Sequence, residues 1–88
     1  MKSFNFTKEG LPLDSEDKDD RLIAAISAAI LHISEKFIKE YGCGTLKRIL
    51  IEAEHEVLVL EGKDKIGTLS ILESNNGKIF LKNYTPEK

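Results

Sequence analysis

Apolar positions recur at three- and four-residue steps through residues 19–41, DDRLIAAISAAILHISEKFIKEY. Leu22, Ile23, Ile26, Ile30, Ile33, Phe37 and Tyr41 therefore share one broad face of a helix. Asp19 and Asp20 at its start and Lys39 in its last turn suit the helix dipole. Gly42 and Gly44, on either side of Cys43, end it. Ser15, Asp17, Asp19 and Asp20 are all competent N-caps, and the sequence does not choose among them. Within the helix, Ala24, Ala25, Ala28 and Ala29 form a smooth surface that another backbone could approach closely. The helix is expected to cover one face of a sheet with its apolar stripe, and the alanine side reads either as core or as a seam against a partner.

Elsewhere the period is two. In residues 3–7 (SFNFT) Phe4 and Phe6 fall on one side, and in residues 11–13 (LPL) Leu11 and Leu13 do the same. Lys8-Glu9-Gly10 reads as a tight turn between them, with Gly10 free to take a positive φ. Pro12 has no N–H, so its strand belongs at a sheet edge. Residues 14–21, DSEDKDDR, with five acids and two bases, read as an exposed loop into the helix. Beyond the glycines, TLKRILIEA (45–53), VLVL (57–60) and IGTLSILE (66–73) read as an antiparallel meander. Its turns are placed at Glu54-His55-Glu56 and Gly62-Lys63-Asp64. Val57 to Leu60, and nearly so Leu69, Ile71 and Leu72, are apolar on both sides, so both sheet faces should be covered. One helix covers one face. The other cover inside the chain would be residues 77–85, either a strand over 78–83 after an Asn75-Asn76-Gly77 turn, or a short helix laying Phe80 and Tyr84 across the sheet. That second cover is thin, which favours a partner chain. Phe4, Phe6, Phe80 and Tyr84 are the candidates for a partner surface.

Composition narrows the function classes. The 88 residues fit a single domain, residues 1–88 with an ordered core at about 3–84, and 41% hydrophobic with 32% charged residues fits a folded, soluble chain. A net charge of −2 argues against nucleic acid as a partner. No apolar run approaches the length of a membrane span, and the N-terminus lacks a secretory pattern. One cysteine leaves no internal disulfide and fits a cytoplasmic location.

Candidate chemistry is sparse. His55, between Glu54 and Glu56, lacks the convergent ligands a metal requires and reads as an exposed turn. Cys43 lies between two glycines at a helix C-terminus, whereas a reactive thiolate prefers a helix N-terminus or nearby cations, so it reads as a small buried contact at the cap. Ser27 and Ser34 have no acid–base neighbour at suitable spacing. The Lys47-Arg48 pair reads as a solvated edge. None of these sets carries catalysis, a cofactor or a metal.

In order and spacing, the chain resembles the roadblock/LC7 family. The residues that carry the resemblance are Gly10-Leu11-Pro12-Leu13 before the acidic loop, Arg21-Leu22-Ile23-Ala24-Ala25 opening the helix, and Gly44-Thr45-Leu46-Lys47-Arg48-Ile49-Leu50-Ile51-Glu52. Val57-Leu58-Val59-Leu60 and Ile66-Gly67-Thr68-Leu69-Ser70-Ile71-Leu72 complete the set. The resemblance implies an α+β, profilin-like fold, ββαβββ plus the short C-terminal segment, with a five-stranded antiparallel sheet in which the LPL strand is one edge and TLKRILIEA the other. Family members carry a further helix before the first strand, for which there is no room ahead of Phe4, so this looks like a compact variant. They dimerise by pairing the second edge across a two-fold with the long helices side by side. That places Ala25, Ala28, Ala29 and His32 of the helix, and Lys47, Ile49 and Ile51 of the edge, in a homodimer interface. The implied function is that of a non-enzymatic adaptor or scaffold, without cofactor, that binds or regulates a Ras-like small GTPase. The alternative is a structural subunit of a homo- or hetero-oligomer with no GTPase partner.

Overall fold

The computed structural model describes residues 2–15 and 17–73. The elements in chain order are strand β1 (Lys2–Thr7), helix α1 (Lys18–Tyr41), and strands β2 (Ile49–Glu52), β3 (Glu56–Lys63) and β4 (Ile66–Glu73). The strands form an antiparallel sheet in the order β1-β4-β3-β2, with α1 across one face. The readings for residues 77–85, including Phe80 and Tyr84, lie outside the described residues.

Among the described residues the sheet has four strands, and this corrects the expectation of five. The LPL segment contributes a single bridge, Phe6 opposite Pro12. The turn itself forms as the sequence implies: the Gly10 N–H donates to the Thr7 carbonyl at 2.9 Å, with Gly10 at φ 102°. Two more hydrogen bonds fasten the return, from Thr7 N–H to the Leu11 carbonyl and from Leu13 N–H to the Asn5 carbonyl. Pro12 has no donor with which to extend a ladder, and the chain leaves for the helix directly afterwards. With that strand removed β1 becomes the edge on its side, and the strand from TLKRILIEA stays at the opposite edge, as expected.

Two other boundaries differ. Only Ile49–Glu52 of the TLKRILIEA segment pairs with β3. Its first half instead brings Leu46 against the core, and Arg48 Nε lies 3.6 Å from Glu61 Oε2. The β3–β4 hairpin also runs further than expected. Gly62 pairs with Gly67 and Lys63 with Ile66, which leaves Asp64 and Lys65 as the turn, with Asp64 at φ 57°. A two-residue turn of this kind requires positive φ, which Asp tolerates better than most residues.

Asp17 is the N-cap that the structure selects: its backbone is extended, and its carboxylate accepts from the Asp19 N–H at 3.3 Å. At the other end Gly42 takes the left-handed conformation. Its N–H donates to the Lys39 carbonyl and that of Cys43 to the Ile38 carbonyl, which satisfies the last turn.

The core gathers Phe6, Leu60 and Leu69 from the sheet and Ala24, Ala28 and Leu31 from α1, with Phe4, Ile49, Ile51, Leu58 and Ile71 packed around them. Cross-strand register puts all these strand residues on one face: Phe4 and Leu60 both lie opposite Leu69, Ile49 opposite Leu60, and Ile51 opposite Leu58. The large side chains in this layer come mainly from the strands. The helix therefore contributes small ones, and its alanines let it sit close to the sheet. On the other face, Val57 and Val59 are also buried, at 3% and 7% exposed.

Candidate interaction surface

The same packing turns the helix over relative to the expectation. The residues of α1 that meet the sheet are Ala24, Ser27, Ala28 and Leu31, while Leu22, Ile23, Ile26, Ile33, Phe37 and Tyr41 face outward. Ile33 is 66% exposed and Tyr41 71%. Of the apolar stripe only Ile30 is half-buried against the core, and the rest of the stripe is not the core face of the helix. A sheet already carrying Phe6, Leu60 and Leu69 has filled most of the layer, and a helix bringing the whole stripe as well would overpack it. Phe37 and Tyr41 meet edge to face at the C-terminal end, with ring centroids 4.9 Å apart. Scattered exposed leucines need no explanation, but a row of large apolar residues along one helix does.

The structure divides the residues that the sequence grouped into one interface. Ala28 is 6% exposed, in the core, and offers no surface to a partner. Ala25, Ala29 and His32 are exposed. A side chain on Gly10 would meet the Cα of Ala25, so this part of the helix lies over the turn that follows β1. Ile49 and Ile51 are half-buried on β2, the opposite edge of the sheet, with Lys47 exposed just ahead of them. Ile38, on the other flank of α1, opens toward that edge in a depression shared with Leu46 and Leu50. The alanine row and the β2 edge therefore lie on opposite flanks. Of the candidates for a partner surface, Phe6 is wholly buried, and Phe4 is half-buried beneath the helix with its ring 6.2 Å from that of Phe6. Sequence reasoning missed Leu22, Ile26, Ile33 and Phe37 as surface residues. The signal was the pair Ala24 and Ala28, four residues apart, because small residues at that spacing let a helix pack close to a sheet.

Reactive side chains stay apart. His55 is exposed, 3.8 Å from Glu54. Cys43 is exposed, which corrects its reading as a buried contact; the cap uses its backbone N–H. Among the described residues no three His, Cys, Asp or Glu side chains converge as metal ligands, and no helix is long and apolar enough to cross a membrane. Two open depressions hold about 520 Å³ each, one of them lined by Lys47, Glu61, Lys63 and Asp64 at the β3–β4 end. The feature with organised chemistry is the apolar face of α1.

Comparison with known proteins agrees with this architecture. The Roadblock/LC7 domain profile matches residues 6–73. Among solved structures, a Roadblock/LC7 domain from Streptomyces avermitilis superposes with a TM-score of 0.70 at 13% identity, covering 81% of this chain and 63% of that one. Myxococcus xanthus MglB gives 0.73 at 14% identity, covering 83% and 63%. The gliding protein MglB from Thermus thermophilus gives 0.69 at 12% identity, covering 93% and 68%. The chain thus spans about 63% of the length of the first two of these. No curated protein matches. With the profile covering most of the chain and the helix-on-sheet architecture in agreement, the protein belongs to the Roadblock/LC7 domain family.

Proposed function

We propose that this protein is a non-enzymatic adaptor that self-associates through the β2 edge and regulates or anchors a Ras-like small GTPase. The observation that carries the reading is the apolar face of α1: the chain exposes Leu22, Ile26, Ile33, Phe37 and Tyr41 where a free-standing domain would cover them. Family membership adds to it, because the Roadblock/LC7 fold is associated with GTPase regulation and scaffolding. β2 is an outer strand of the sheet whose far side has no strand beside it among the described residues. An open edge of this kind accepts another strand readily. Pairing it with the β2 of a second copy would set Ile49 and Ile51 against the Ile38 flank of the helices and would leave Ala25, Ala29 and His32 outside the seam.

Two measurements test the reading. Amide hydrogen exchange over residues 49–52 should show protection that rises with protein concentration, and concentration-independent exchange would remove the edge pairing. Co-elution with the small GTPases encoded in the same genome, each loaded with GDP or a non-hydrolysable GTP analogue, should identify a partner. If no GTPase binds in either state, the protein is a structural subunit instead.

A further inference from the structure

We draw no further inference here: the strongest candidate, the outward apolar face of α1 formed by Leu22, Ile26, Ile33 and Phe37, restates the side-by-side helix pairing of the Roadblock/LC7 family when a second copy of the chain is seated on it, and nothing in the structure shows what else would cover it.

Discussion

The ring of Phe6 lies across Gly67, its partner in the β1–β4 register, in the space that any side chain at that position would need. Leu31 of α1 closes the same spot from above: its Cδ1 would be 3.0 Å from a Cβ on Gly67. Sheet, helix and first strand meet at this glycine, so the depth of the helix over the sheet is fixed there.

Replacement of Gly67 by alanine should therefore cost about 1–3 kcal/mol, the usual penalty for an overpacked core. Phe6 is wholly buried and cannot swing aside. Urea unfolding of Gly67→Ala should show a lower midpoint. Phe6→Leu/Gly67→Ala should be less destabilised than the sum of its single variants, because the shortened side chain vacates the contested space. Strict additivity would mean that the clash is relieved by backbone movement.

Gly42 is a contrasting case. Nothing lies within 4 Å of a Cβ placed there, but its φ of 68° is left-handed. Gly42→Ala should cost about 1 kcal/mol through backbone strain alone. Gly42→Asn should lose less, since Asn tolerates that conformation. Equal losses for the two in thermal melts would point to a cause other than φ.

Adjacent alanines in α1 should respond in opposite ways. Ala28→Glu puts an unpaired carboxylate into the core and should cost about 3–5 kcal/mol, a large fraction of the stability of so small a domain. Ala29→Glu adds a solvated charge and should change monomer stability by less than about 0.5 kcal/mol. Comparable destabilisation of both, measured by denaturant titration at low protein concentration, would contradict this orientation of the helix.

Lys8 Nζ and Glu35 Oε2, 3.1 Å apart, tie the β1 turn to the helix. Both side chains are roughly a third exposed, so water screens the pair. Glu35→Gln should cost no more than about 1 kcal/mol, and the difference from wild type should shrink in high salt. A larger loss, insensitive to salt, would mean that the pair is held in a drier setting than its exposure indicates.

Much of this architecture is legible along the chain. The extent of the helix follows from its 3.6-residue period with acids ahead of it and glycine behind. The β4 span follows from its apolar run, and the turn at Gly10 from the glycine between two apolar pairs. These features depend on neighbours in sequence, where propensity and pattern act directly. The identity of the N-cap depended on finer geometry, and four residues competed for it until the backbone placed Asp17.

Gly62 shows how a local signal can mislead. Between VLVL and IGTLSILE it reads as the start of a turn, yet it lies within β3. A side chain there would meet the Lys8 stem and Leu31, both distant in sequence. The glycine serves close packing of the helix, and only the folded chain brings those neighbours together.

The orientation of α1 was settled in the same way. The sequence by itself determined that residues 19–41 form an amphipathic helix with a large apolar stripe and a small-residue stripe, and that four of the strand segments follow in a given order. It could not determine which stripe meets the sheet, because both are apolar enough to be buried. The tertiary structure decided that by volume. With Phe6, Leu60 and Leu69 already filling much of the layer, Ala24, Ala28 and Leu31 fit against them with Ile30 at the side, and Leu22, Ile26, Ile33 and Phe37 were left to face outward.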